Sequence, residues 1–157
     1  METAKYRKLT IEHCVGSGLD LGSGGEPICD SALQIDQRPL PGIHLVCDCQ
    51  QLPFQTETFD YVYASHIIED FVEWRDVLIE WVRVLKVGGK IIILVPDHKL
   101  FRLAVSQGQP DNDAHKHESY LGELSSYADE LNLDAVEKMT DLHDGDYTIM
   151  FVGVKIK

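Results

Sequence analysis

The stretch Gly18-Leu19-Asp20-Leu21-Gly22-Ser23-Gly24-Gly25 constrains this chain more than any other. An apolar run ends on an acidic residue and breaks into a glycine cluster. Glycine lacks a Cβ, so such a cluster permits positive φ and lets another molecule approach the backbone. In an α/β chain, a strand feeding such a turn makes the floor of a nucleotide-shaped ligand site. The dinucleotide fingerprint G-x-G-x-x-G fails, because its third glycine falls on Pro27. That fingerprint also expects a ribose-binding acid about 20 residues on, whereas Gly22 to Asp36 spans only 14. NAD is thus a weak reading.

The rest of the chain supplies strands and helices around this turn. The first strand is expected at about Ser17–Leu21. Only the eight residues Gly25 to Ala32, Pro27 among them, precede the second strand, Leu33-Gln34-Ile35, which ends at Asp36. At 3.6 residues per turn they hold at most about two helical turns. Pro39, Pro41 and Gly42 make the next connection a loop without a crossover helix. A third strand at Ile43–Cys47 and a fourth at Phe59–Ala64 follow, joined by a loop around Leu52-Pro53-Phe54. Trp74, Val77, Leu78, Trp81, Val84 and Leu85 recur at spacings of 3 and 4, which predicts a helix over about Glu73–Lys86 with a core-facing stripe. Gly88-Gly89 reads as its stop. Lys90–Val95 is apolar enough for a central strand. Pro96 to His117 reads as the longest loop, a second helix covers about Ser119–Leu131, and strands at Leu133–Met139 and Tyr147–Lys155 close the chain through a turn at His143–Asp146. Residues 1 to 15 fit a short helix or an extended lead-in. The pattern is an α/β sheet of about seven strands, mostly parallel, with an antiparallel C-terminal hairpin strand.

With 157 residues the chain suits one domain. Its longest aliphatic run, Ile91–Val95, is far short of the ~20 residues that span a bilayer, and Met1–Lys5 lacks a signal-peptide core. Those features predict a cytoplasmic protein without a membrane segment. The net charge of −12 comes with scattered Lys and Arg, which disfavours a nucleic-acid partner. The cysteines Cys14, Cys29, Cys47 and Cys49 form no C-x-x-C pair. Zinc would need two further ligands beside Cys47 and Cys49, so the thiols read as core or pocket lining and no metal is expected.

Four segments, in this order and spacing, resemble the class I methyltransferases that use S-adenosylmethionine, particularly the small type 11 group. They are Leu19–Gly24, Gln34–Asp36, Cys47–Phe54, and Phe59–His66 followed by Val84–Lys90. The resemblance covers about residues 17 to 97 and implies a Rossmann-like fold with S-adenosylmethionine as cofactor. It implies that Asp20 and the backbone of Gly22 and Gly24 hold the methionine part of the cofactor. Asp36 would accept from both ribose hydroxyls, and Asp48 and the Cys49 N–H would meet the adenine edge. Leu52 and Phe54 would pack near the base, and Ala64, Ser65 and His66 would face the methyl group. Simpler readings stay open beside these: a turn cap for Asp20 and for Asp36, an Asx-turn for Asp48, and a packed loop for Leu52–Phe54.

Methyl transfer from a sulfonium is an in-line displacement, helped by a general base when the acceptor is a hydroxyl or a protonated amine. His66 stands at a strand's C-terminal end, where ligands bind in open α/β sheets. His115 and His117 sit in the long loop; all three are candidate catalytic residues. Glu69 and Asp70 could orient a cationic substrate, or simply open a helix. Two departures from the family pattern count against a complete enzyme. Glu26 stands where glycine is common, and the first two crossover helices are stunted or missing. Helices on one sheet face are therefore reduced, and an exposed apolar face covered by a homodimer mate or another partner is expected. The readings are methyl transfer to an O or N nucleophile of a small-molecule or protein substrate, or a non-catalytic S-adenosylmethionine-binding module that needs a partner chain.

Overall fold

The computed structural model describes residues 2–116, 121–139 and 147–157. Seven strands form one sheet: β1 (Gly18–Leu21), β2 (Ala32–Asp36), β3 (Leu45–Val46), β4 (Phe59–Ser65), β5 (Leu85–Pro96), β6 (Leu133–Met139) and β7 (Thr148–Lys155). Their spatial order is β3-β2-β1-β4-β5-β7-β6. Strands β1 to β5 pair in parallel, and β7 runs antiparallel between β5 and β6. The strand order reverses between β1 and β4, and the crevice beyond the carboxyl ends there is where open α/β sheets bind ligands.

Alternate residues of each strand supply two cores. On one face Leu19, Leu21, Val62, Ile91, Ile93 and Phe151 pack against Trp74, Val77, Leu78 and Trp81 of α2 (Trp74–Val84) and Leu124 and Ala128 of α4 (Leu121–Glu130). Each such buried side chain contributes about 1.5–3 kcal/mol of transfer free energy. On the other face Tyr61, Tyr63, Ile92, Leu94, Met150 and Val152 are fully buried with Tyr6, Cys14 and Ile28. This corrects the expectation of an exposed apolar sheet face. The lead-in is a helix, α1 (Glu2–Thr10), followed by a 3-10 turn at Ile11–His13. Tyr6 and the segment around Ile28 cover the face without any crossover helix, because its two tyrosines fill much of the layer themselves.

Three further expectations are corrected. The helix α2 does not run on to a glycine cap. Leu85 is already extended, and β5 starts there. Gly88, at φ 82°, and Gly89 instead form an irregularity between the Phe59–Leu85 and Tyr61–Lys90 pairs. A Cβ on Gly89 would lie 2.8 Å from the Lys86 carbonyl, so only glycine fits there. Second, Pro96–His117 is not a continuous loop. It contains α3 (His98–Ser106), capped by the Asp97 carboxylate, which accepts from the Leu100 N–H at 3.1 Å. Third, β3 is two residues long rather than five, because the Pro39–Gly42 turn delays its pairing with β2 until Leu45. The turn expected at His143–Asp146 and the expected start of α4 lie outside the described residues.

Candidate functional site

The turn after β1 closes the floor of a cleft. Gly22, Gly24 and Gly25 all adopt positive φ, and the Gly22 and Ser23 N–H groups both point at the Ile35 carbonyl. Asp20 does not line the cleft. It is 1% exposed, and its carboxylate accepts from the Ile28 N–H. It thereby pins the loop that replaces the first crossover helix. Burial pushes its carboxyl up to about 7, against the pull of the Ile28 N–H and the Arg7 charge. The turn-capping reading of Asp20 matches this geometry.

A cleft of about 510 Å³ opens beyond the strand ends. Of the residues singled out from sequence, Gly22, Asp36, Asp48, Cys49, His66 and Asp70 line it. Asp36 ends β2 with its carboxylate buried, accepting from the Gly24 N–H at 3.0 Å and the Arg38 N–H at 2.9 Å. The Arg38 guanidinium holds both carboxylate oxygens, at 3.0 and 3.1 Å. Burial alone would raise the Asp36 carboxyl, but the Arg38 and Gly24 hydrogen bonds outweigh it and hold it below the usual range. Asp48 makes an Asx-turn, accepting from the Gln50 N–H at 2.9 Å, and still faces the cleft.

Helix α2 fixes the segment carrying Asp48 and Cys49. The Trp81 indole donates to the Cys49 carbonyl at 2.9 Å, Glu80 accepts from the Leu52 N–H, and Arg83 donates to the Leu52 and Phe54 carbonyls. Burial and the Asp48 charge push the Cys49 thiol up to about 12, so it remains a thiol. Leu52 is buried in the core and Ala64 beneath the strand end; neither lines the cleft. Among the described residues no group of His, Cys, Asp and Glu could hold a metal ion.

The cleft's other wall turns on His66, whose φ of 53° lets the chain leave β4 sharply. Such a conformation costs about 1–3 kcal/mol in a non-glycine residue; here the His66 N–H bond to the Leu94 carbonyl, at 2.8 Å, holds it. His66 Nδ1 lies 3.6 Å from Glu69 and Nε2 3.3 Å from the Thr148 hydroxyl. His115 Nε2 reaches the same Glu69 oxygen at 3.9 Å. The structure thus brings two candidate histidines to one carboxylate; His117 lies outside the described residues. Ser65 Oγ is buried with no hydrogen-bond partner among the described residues. Asp70 lines the cleft, its carboxyl raised by burial and by the Glu69 charge, against the pull of His115, Lys116 and His66.

Sequence reasoning missed Arg38 as the partner of Asp36, and Gln37, Gln50, Ile67 and Phe71 as lining. The signal for Arg38 was present: a cation two residues after a strand-ending acid can fold back onto it. The meeting of Glu69 with His115 crosses 46 residues and has no local signature.

Residues 19–93 match the family described as "Methyltransferase domain". A phthiotriol/phenolphthiotriol dimycocerosates methyltransferase of Mycobacterium tuberculosis is 34% identical over 87 residues, covering 55% of this chain and 30% of that protein. The chain therefore spans under a third of that relative's length. In fold, the chain is similar to the Burkholderia thailandensis 1,6-didemethyltoxoflavin-N1-methyltransferase solved with its substrate and S-adenosylhomocysteine. That match has a TM-score of 0.73 and 13% identity, over 99% of this chain and 79% of the other. A chain from the complex of the Haloferax volcanii Trm112 methyltransferase activator with a methyltransferase-like protein also matches, with a TM-score of 0.73 and 14% identity, over 97% and 90% of the two chains. The sequence match over residues 19–93 and the likeness of the whole sheet to methyltransferase structures make this chain similar to the class I methyltransferases.

Proposed function

We propose that the cleft binds S-adenosylmethionine and that the domain transfers its methyl group to an O or N nucleophile of a small-molecule or protein substrate. The observation that carries this reading is the buried Asp36 carboxylate at the end of β2, facing a cleft floored by a positive-φ glycine turn. Ribose presents two adjacent hydroxyl donors that one carboxylate can take together. Arg38 now occupies that carboxylate, but its side chain is 62% exposed and can swing into solvent. Ile67 packs over the Gly22 turn, where a Cβ would clash with its side chain, and Asp48 and the Cys49 N–H, which line the cleft, would offer an adenine edge one acceptor and one donor. Asp20 serves indirectly, by holding the glycine turn. The cofactor supplies a methyl group on a cationic sulfur, a good leaving group. The chain's own residues align the acceptor, exclude water and take up a proton. His66 and His115 are the candidates for that last task among the described residues, and His117 keeps the role its sequence position suggested.

A second reading is a cofactor-binding domain that works only with a partner chain. The short β1–β2 connection favours it, as do the limited share of the relative's length that the chain spans and the activator complex in which one structural neighbour was solved. A homodimer is the simplest such partner. Among the described residues no helix is long and apolar enough to cross a membrane; the acidic charge fits a cytoplasmic protein without a nucleic-acid partner.

Incubation with methyl-tritiated S-adenosylmethionine and a panel of phenols, quinols, amines and small proteins tests the choice. Label transfer to any class, abolished by Asp36→Ala, is the expected result. Tight cofactor binding with no transfer to any member would favour the binding-module reading.

A further inference from the structure

Five polar side chains from distant parts of the sequence form one continuous chain beside the cleft. The Tyr6 hydroxyl, on α1, donates to the Thr148 hydroxyl, on β7, at 2.9 Å; both residues are essentially fully buried. Thr148 Oγ1 in turn lies 3.3 Å from His66 Nε2, and with one lone pair taken by Tyr6 it can offer its own hydrogen there. The Tyr6 ring stacks on the His66 ring with centroids 6.5 Å apart, which fixes the plane in which the imidazole lies. A neutral imidazole that accepts at Nε2 carries its proton at Nδ1. Nδ1 is the nitrogen that faces Glu69, at 3.6 Å.

The Glu69 end of the chain points the same way. Glu69 is 1% exposed, and neither carboxylate oxygen has a hydrogen-bond partner among the described residues. An ionised carboxylate only accepts, and one so buried needs pairing. The two groups at ion-pair distance are His66 Nδ1 and His115 Nε2. Such contacts are commonly long before a substrate is in place and tighten with it. Asp70 and Lys116 are the other charged groups at this corner, and the Lys116 N–H binds the Glu69 carbonyl rather than its carboxylate.

The two histidines therefore differ. His66 has a polar neighbour at each ring nitrogen, Thr148 at 3.3 Å and Glu69 at 3.6 Å. His115 has one only at Nε2, Glu69 at 3.9 Å, and its Nδ1 makes no hydrogen bond among the described residues. His115 packs on the Phe101 ring at 4.8 Å and lines a second depression of about 340 Å³, with His98, Phe101, Arg102 and Lys116 around it. We propose that Glu69 divides the roles of the two imidazoles: it holds His66 as a positioning residue of the Nδ1–H form, and it leaves His115 Nδ1 as the proton acceptor, with the methyl acceptor entering through the second depression. This deepens the methyl-transfer reading and rests on it. In the step, the acceptor's nucleophilic atom bonds the methyl carbon as the carbon–sulfur bond breaks. The electron pair of that bond stays on sulfur, and the acceptor's proton passes to His115 Nδ1, where Glu69 faces the resulting imidazolium.

Long-range proton–nitrogen correlation spectra of the uniformly ¹⁵N-labelled full chain, above the histidine titration range, test the assignment without cofactor or substrate. The two rings are identified by the signals lost in His66→Asn and His115→Gln. The expected result is an Nδ1–H pattern for His66, the minority form of a free imidazole, and an Nε2–H pattern for His115. Glu69→Gln is expected to mix the two forms in His66. An Nε2–H pattern for His66, or an Nδ1–H pattern for His115, would overturn the proposal, as would an unchanged His66 pattern in Glu69→Gln. Should that variant fail to fold, the wild-type patterns decide alone. Because the spectra read tautomers only, they can fail while cofactor binding stands, and the reverse. With any acceptor that the wild type methylates, His115→Gln should lower kcat by about 100-fold or more, the lower bound for a lost general base, and His66→Asn by less; the opposite ranking would also refute it.

Discussion

Asp20 offers a measurable consequence of replacing a helix with a pinned loop. Its carboxyl is raised from 3.8 to about 7, first by burial. The folded chain therefore holds a proton that the unfolded chain releases between pH 4 and 7. The sign follows: the contribution of this group is fully present below about pH 4, declines as pH rises to about 7, and is flat above that. A rise of roughly three pH units corresponds to about 4 kcal/mol at 1.36 kcal/mol per unit, an upper figure for this buried group. Asp20→Asn keeps an oxygen to accept from the Ile28 N–H but cannot ionise. Urea denaturation of both proteins at pH 4.5 and pH 8 isolates the effect, because the carboxylates with lowered pKa, Asp36, Asp60, Glu80 and Asp111, are common to both. The two proteins should be of similar stability at the lower pH, and the variant should be more stable by about 2–4 kcal/mol at the higher. Equal stability at both values would show that Asp20 ionises freely, and would refute the account of how the loop is held.

Two more consequences concern the cleft. Arg38→Ala should tighten adenosine binding by up to about fivefold, because it frees the buried Asp36 carboxylate from a guanidinium that is itself largely exposed, a competing contact of about 1 kcal/mol; calorimetry with adenosine reads this directly, and weaker binding would mean that Arg38 contacts the ligand instead. Trp81→Phe should lower stability by about 1–2 kcal/mol, because it leaves the buried Cys49 carbonyl without its indole donor. It should also weaken nucleoside binding by loosening the segment that carries Asp48, and denaturation together with the same titration checks both effects.

The sheet was largely legible because its signals are local. The alternation of Phe59–Ser65, the apolar run of β5 and the stripe of α2 each declare their element within a dozen residues. Helix α3 was hidden by the polar residues that follow it, although Leu100, Phe101, Leu103 and Ala104 carry helical spacing behind the Asp97 cap. The end of α2 misled for a different reason: Gly88-Gly89 does adopt unusual backbone, but as an irregularity in a strand pair, which only the register of β4 against β5 reveals. At the cleft, the positions of Asp36, Asp48, Cys49 and His66 in its lining were legible because they stand at strand ends. Asp20, Leu52 and Ala64 share those segments but point into the packed layers. The carboxylate that joins His66 to His115 depends on chain closure across 46 residues, and no spacing rule reports that.

The central claim is that Asp36 is the ribose acceptor of a nucleoside cofactor cleft. Calorimetric titration of the full chain with S-adenosylhomocysteine, beside NAD and an Asp36→Ala variant shown by circular dichroism to be folded, tests it most directly. The account predicts micromolar binding of S-adenosylhomocysteine, at least tenfold weaker in the variant since charged hydrogen bonds are worth about 1.5–3 kcal/mol each, and no comparable binding of NAD. Binding that is unchanged in the variant, or absent from the folded wild type, would contradict it.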